Sequence, residues 1–160
     1  MKYKSDFINE ISSRGFIYQS SDIENLDKIM SQSSIVGYIG FDITSDSLHV
    51  GSLVQLMLLY WMQKFGHKPI ALMGGGTTLV GDPSGKDKQR KILSKEEIEK
   101  NIKNIEKIFK IFLKTKNNKT KPIFINNYKW LGKLNYIKFL REIGKHFTIN
   151  KMLTFDSVKL

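Results

Sequence analysis

The residues best suited to chemistry begin at His49. The stretch "DSLHVGSLVQLMLLYW", Asp46 to Trp61, turns from polar to almost wholly apolar within one helical turn, and His49 stands at the change, two residues before Gly51 and three before Ser52. A helix start exposes unpaired amide groups and a partial positive charge, which together attract phosphate. His49 falls in the first turn, and Thr44, Ser47 and Ser52 add hydroxyls. A glycine inside a helix costs roughly 1 kcal/mol relative to alanine. Here the missing side chain has a use: it lets a flat ring or a phosphate approach the backbone. The plainer alternative is a capped helix with a surface histidine and a tolerated glycine.

A second polar cluster is "GGGTTLVGDPSGKDKQRK", Gly74 to Lys91. It has no GxxxxGK[ST] pattern and is therefore not a Walker loop. Asp82 either pairs with a ligand ammonium group or caps the turn before Pro83. Lys86 and Arg90 either face phosphates or are solvated. The lysine-rich "KILSK", Lys91 to Lys95, overlaps the start signal of a helix and is read as structural. His67, in the turn "GHKP", is expected to be exposed. His146, after a helix stop, is expected to cap or pack.

These residues need elements to hold them. Two short helices are expected before residue 35, with Gly15 as a stop and Ser21 or Asp22 as a cap. Strands follow at Ile35 to Phe41, Pro69 to Met73 and "KPIFINN". Between them lie a helix closed by Gly66 and an amphipathic helix started by the capping box of Ser94 and Glu97. A further helix, "LNYIKFLREIG", closes at Gly144, and a helical pattern continues to Leu160. Alternating strands and helices predict the α/β class, a Rossmann-like nucleotide-binding fold around a parallel sheet. Ligands of such sheets bind beyond the carboxyl ends of the strands. Three stretches lie there: Asp42 to Ser47, the glycine-rich loop Gly74 to Arg90, and Asn126 to Leu134. The domain expectation is a helical segment over 1–34 and the first part of a catalytic domain over 35–160, the front of something larger.

Composition narrows the classes. The 160 residues contain no cysteine, which excludes disulfides and thiolate chemistry and suits a cytoplasmic setting. No cluster for a protein-bound metal is expected, no signal peptide is evident, and no run is long and apolar enough to span a membrane. The net charge of +11 fits a polyanionic partner, or a lysine-rich base-composition bias with lysines scattered along the chain.

Three blocks, "YIGFDITSDSLHVGSL", "HKPIALMGGGTTLVGDPSGK" and "NNYKWLGKLNYIKFLREIGKHFTINKML", together resemble the bacterial tyrosyl-tRNA synthetases, and His49-Val50-Gly51-Ser52 resembles the HIGH signature of class I aminoacyl-tRNA synthetases. The resemblance implies tyrosine activation by ATP, then transfer to the 3′ end of tRNA(Tyr). By resemblance, Thr44 and His49 bond the ATP phosphates, Gly51 admits the adenine, and Ser52 bonds the ribose, in a position where many relatives carry histidine or asparagine. Tyr38 meets the substrate phenol, Asp82 its ammonium group, Gly40 and Asp42 line the cleft, and Thr77 lies close by. Lys86, Arg90, Asn127 and Trp130 support the site; the family pattern usually has aspartate at Lys129. The resemblance also implies Mg2+ on the ATP phosphates and a homodimer built near "FLREIGKHFTINKML". No KMSKS-type loop is present in the sequence. The expectation is thus a tyrosine–tRNA ligase as the intact protein, with these 160 residues alone inactive. The alternatives are a non-catalytic nucleotide- or tyrosine-binding or dimerising remnant, and a tryptophanyl-tRNA synthetase-like enzyme.

Overall fold

The computed structural model describes residues 3–81 and 93–154. Its elements run α1 (Asp6–Ser13), α2 (Ile23–Gln32), β1 (Val36–Phe41), α3 (Val50–Lys64), β2 (Lys68–Met73), α4 (Gly75–Val80), α5 (Lys95–Phe112), β3 (Ile123–Asn126), α6 (Tyr128–Leu131), α7 (Tyr136–Glu142) and α8 (Ile149–Met152). The three strands form one parallel sheet in the order β1-β2-β3, with Tyr38 opposite Ile70 and Ala71 opposite Phe124.

Strands that advance in sequence order, joined by right-handed crossovers, put both connecting helices on one face. The packing agrees. Leu56 and Leu59 of α3 and Ile98, Ile105 and Phe109 of α5 are buried in one cluster with Phe41, Ala71 and Met73. Each of the larger side chains among them contributes about 1.5–3 kcal/mol of transfer free energy. The opposite face carries Val36, Tyr38 and Gly40, all exposed, and β1 is an edge strand among the described residues.

A second cluster joins the amino-terminal helices to α3: Phe7, Ile8, Ile11 and Met30 bury against Met62. Buried Asp27 of α2 accepts backbone N–H bonds from Lys4 (3.0 Å) and Ser5 (2.7 Å), so a helix side chain holds the incoming chain. Start and stop signals act as the sequence indicates. Asp22 caps α2, Ser94 and Glu97 form the reciprocal capping box of α5, and Gly15 and Gly66 take positive φ at the ends of α1 and α3.

Four expectations are corrected. The glycine-rich loop is a helix over Gly75–Val80, ended by Gly81 at φ +79°. Its two glycines and two threonines are poor helix formers. This helix forms because its neighbours bury it and satisfy its first amides. His67 is buried (4% exposed), since α1 lies over it. The Phe7 ring meets it edge-on at 5.7 Å, and its Nδ1 accepts the Ile35 N–H at 3.3 Å. The stretch after β3 turns into α6, and the final helical pattern breaks into a 3₁₀ turn (Gly144–His146), in which His146 is exposed, and the short α8. No helix among the described residues is long and apolar enough to cross a membrane.

Candidate functional site

The carboxyl ends of the three strands are bound to one another beyond the sheet. The Gly74 N–H donates to the Phe41 carbonyl (2.9 Å), and the Asn127 N–H donates to the Met73 carbonyl (3.0 Å). Side chains add a second set of ties. Asn127, 7% exposed, accepts the Gly76 N–H through Oδ1 at 2.7 Å, and its Nδ2 donates to Thr77 Oγ1 at 3.3 Å. Thr77 Oγ1 in turn donates to the Gly74 carbonyl at 3.0 Å. Thr78 reaches the other way: its buried Oγ1 accepts the Ile43 N–H at 3.0 Å. The short helix α4 is thus fixed between the β3 end and the loop after β1. The helix fits because it lacks Cβ atoms where its neighbours press. A Cβ on Gly75 would lie 2.5 Å from Asn126 Oδ1, and one on Gly76 would lie 3.1 Å from Asn127 Oδ1.

His49 is the N-cap of α3, in extended conformation (φ −87°, ψ 170°). Its Nδ1 accepts the Gly51 N–H at 2.9 Å, which satisfies one of the orphan amides of the first turn. A neutral ring bound in this way carries its proton on Nε2. Among the described residues no partner takes that proton, and the side chain is exposed. Gly51 is what lets the ring fold down: a Cβ there would meet His49 Cε1 at 2.7 Å. The ring that approaches the Gly51 backbone is therefore the histidine's own. The geometry presents an N–H donor beside a helix start, the equipment for an anionic oxygen.

The other sequence-predicted residues fall as follows. Thr44 and Asp42 are exposed in the loop after β1, and Asp42 Oδ1 would stand 3.7 Å from a Cβ on Gly74. Ser52 is half-buried in the first turn of α3, where its N–H donates to the His49 carbonyl at 3.0 Å. Tyr38 lies on the open face of β1, 69% exposed, two residues before Gly40, where a Cβ would meet nothing within 4 Å. Trp130 is 45% exposed on α6, its N–H bound to the Asn127 carbonyl at 3.2 Å. Asp82, Lys86 and Arg90 lie outside the described residues. The structure therefore ties Thr77 to Asn127 directly and His49 to Gly51 directly, and leaves Tyr38 exposed on the sheet face.

Sequence reasoning missed Thr78, Asn126 and Asn101. Asn126 Oδ1 accepts the Tyr128 N–H at 2.9 Å, and Asn101 of α5 reaches the Ile43 carbonyl at 3.5 Å. A signal existed for two of them, since Thr78 and Asn126 each adjoin a residue already singled out and small hydroxyl and amide side chains favour backbone ties at strand ends. Asn101 had none: it sits on a helix, 58 residues from its partner.

Comparisons with known proteins agree with this fold. A family model described as tRNA synthetases class I (W and Y) matches residues 30–160. The chain is 64% identical over 154 residues to the tyrosine–tRNA ligase of Pelagibacter ubique, covering 96% of this chain and 38% of that protein. It is 53% identical over 160 residues to that of Bartonella henselae, covering 100% and 38%. The chain thus spans 38% of the length of these curated relatives. Among solved structures, a C-terminally truncated mitochondrial tyrosyl-tRNA synthetase of Aspergillus nidulans superposes with TM-score 0.83 at 26% identity, covering 99% of this chain and 47% of that one. The corresponding Coccidioides posadasii structure gives 0.77 at 26% identity, covering 96% and 44%.

Proposed function

The chain belongs to the class I tRNA synthetases of the W and Y group, and from that premise we propose that it supplies the first part of the active site of a tyrosine–tRNA ligase. The substrates in this reading are L-tyrosine, ATP and tRNA(Tyr). Residues 1–34 serve as a helical buttress and 35–160 as the first part of the catalytic domain. The observation that carries the reading is the pairing of His49 with the Gly51 amide at the start of α3. It leaves one N–H donor aimed outward at the mouth of a parallel sheet.

A carboxylate is already a nucleophile at neutral pH, so tyrosine needs no general base to attack the ATP α-phosphate. That attack forms the acyl–phosphate bond and releases pyrophosphate. The protein's part is to bring two anions together and to stabilise charge on the phosphoryl oxygens. In this reading His49 and Thr44 donate to the phosphates, Ser52 bonds the ribose, Gly51, by seating the His49 ring, lets the adenine lie against the helix start, and Gly40 and Asp42 line the cleft. Tyr38 bonds the substrate phenol, Asp82 takes its ammonium group, and Thr77 lines the cleft. Asn127 and Trp130 hold the loop, with Lys86 and Arg90 in support. No group of three or more carboxylate, histidine or cysteine side chains suited to a metal occurs among the described residues. In this reading Mg2+ would accompany the ATP phosphates and neutralise part of their charge. Tyr136, Ile137, Phe139, Leu140, Ile143 and Phe147 are exposed and apolar, which supports a homodimer seated on α7 and the turn after it. We place the protein in the cytoplasm.

The test is tyrosine-dependent pyrophosphate exchange by the complete gene product. Substituting His49→Ala is expected to lower exchange by roughly 10²–10³-fold, the usual effect of losing one transition-state donor. Tyr38→Phe is expected to weaken discrimination against phenylalanine, because the substrate phenol loses a hydrogen-bond partner. Exchange by the 160-residue chain alone is expected to be negligible. Unaltered exchange in His49→Ala would refute the reading.

A further inference from the structure

The peptide of Ile43 is held from two sides just after the chain leaves the sheet. β1 ends at Phe41, opposite Met73. Ile43 is fully buried, so its N–H needs a partner that the strand ladder no longer supplies. The hydroxyl of Thr78 supplies it: Oγ1, on a residue that is itself buried, accepts the Ile43 N–H at 3.0 Å. On the carbonyl side Asn101 of α5 donates through Nδ2 at 3.5 Å, a long bond and the weaker of the two. Adjacent residues of a helix point about 100° apart. Thr77 and Thr78 therefore serve different neighbours: Thr77 meets Asn127 after β3, and Thr78 meets Ile43 after β1.

The consequence lies one residue further on. Phe41 and Ile43 are buried while Asp42 and Thr44 are exposed, the alternation of extended backbone. Fixing Ile43 inward therefore fixes Thr44 outward, at the mouth of the sheet. Residues 44–47 are all exposed, and the chain next returns to the core at Leu48, which packs against the same cluster as Ile43. Between those two anchors no hydrogen bond holds residues 44–47 among the described residues, so the placement of Thr44 depends on the tie behind it. We propose that Thr78 is a positioning residue for the attack on the ATP α-phosphate, acting through the Ile43 peptide to hold Thr44 against the phosphates. The inference rests on the reading of Thr44 as a phosphate donor. Asn101 backs the same peptide with a smaller share, because its bond is long.

The test is single-turnover formation of tyrosyl-adenylate by the complete gene product, with enzyme and ATP saturating over radiolabelled tyrosine. A rate constant measured in this way does not depend on the fraction of enzyme folded, so a loss of stability alone leaves it unchanged. Thr78→Val keeps the side chain's shape and removes the hydroxyl. It is expected to lower the rate constant by roughly 10–100-fold, the cost of a small misplacement at a reacting centre. Tyrosine affinity, by equilibrium dialysis, should stay within about twofold, since Tyr38 is held by the ladder opposite Ile70 and not by Thr78. Thr78→Ser retains the hydroxyl and should keep the parent rate constant. In a Thr44→Ala background, Thr78→Val should change the rate constant by less than about twofold, because the group it positions is gone. Thr78→Val at the parent rate, with Thr44→Ala impaired, overturns the proposal and leaves the phosphate-donor reading standing. A full further loss from Thr78→Val in the Thr44→Ala background, or a Thr78→Ser variant as slow as Thr78→Val, also overturns it. Thr44→Ala at the parent rate overturns both. If Thr78→Val does not fold, Thr78→Ala, a better helix former, takes its place under the same outcomes.

Discussion

Substituting Asn127→Ala cuts the tie between the β3 end and α4 at its strongest point. The 2.7 Å bond from the Gly76 N–H to Oδ1 disappears, and Gly76 is buried, so its amide is left without a partner. An orphaned buried donor costs about 1–3 kcal/mol. The second bond, Nδ2 to Thr77 Oγ1, is long at 3.3 Å, and that hydroxyl keeps its bond to the Gly74 carbonyl, so its loss adds little. The sum is about 2 kcal/mol. For a chain of this size each kcal/mol moves the melting temperature by about 2–4 °C. Thermal unfolding followed by circular dichroism should therefore show a fall of about 4–8 °C. Thr77→Val isolates the weaker tie and should cost less than about 1 kcal/mol, because the Gly74 carbonyl still receives the Thr78 N–H at 2.8 Å. A melting temperature for Asn127→Ala within 1 °C of the parent's, or a larger loss in Thr77→Val, would refute the view that the buried amide bond holds this rim.

Burial lowers the His67 pKa below its ordinary value, so the folded chain resists a proton that the unfolded chain accepts. Stability is then full above the ordinary histidine pKa and is lost as pH falls through it toward the folded value. Urea midpoints between pH 8 and pH 5 should show this decline, and His67→Asn should flatten it; parallel curves for the two proteins would count against burial as the cause. Gly75→Ala forces a Cβ to 2.5 Å from Asn126 Oδ1 and should cost about 1–3 kcal/mol, as overpacking does. Adding Asn126→Ala removes the obstacle, so the double variant should be more stable than the summed single losses predict; strict additivity in urea unfolding would show that the clash is relieved some other way.

Much of the frame was legible because it is written locally. Asp22, Ser94 with Glu97, Gly15 and Gly66 are start and stop signals acting within a few residues of themselves, and they fall where their chemistry places them. What escaped depends on distant partners. The helix at Gly75–Val80 goes against its own residues' propensities and exists because Asn127, 51 positions from Gly76, caps it. His67 reads as a turn histidine until α1 covers it. In the candidate site, the resemblance pointed to His49 and Gly51 together, and the structure adds a local reason for the glycine: it seats the histidine's own ring.

With α3 and α5 both on one side of the sheet, the side bearing Val36, Tyr38 and Gly40 is bare among the described residues, and β1 offers its outer rail of amides and carbonyls to whatever comes next. A polypeptide that paired along that rail would lengthen the sheet and pass beside the tyrosine. Growth of the sheet and completion of the pocket are then a single event. Two halves mixed as separate chains should recover ligand binding only in step with new strand pairing.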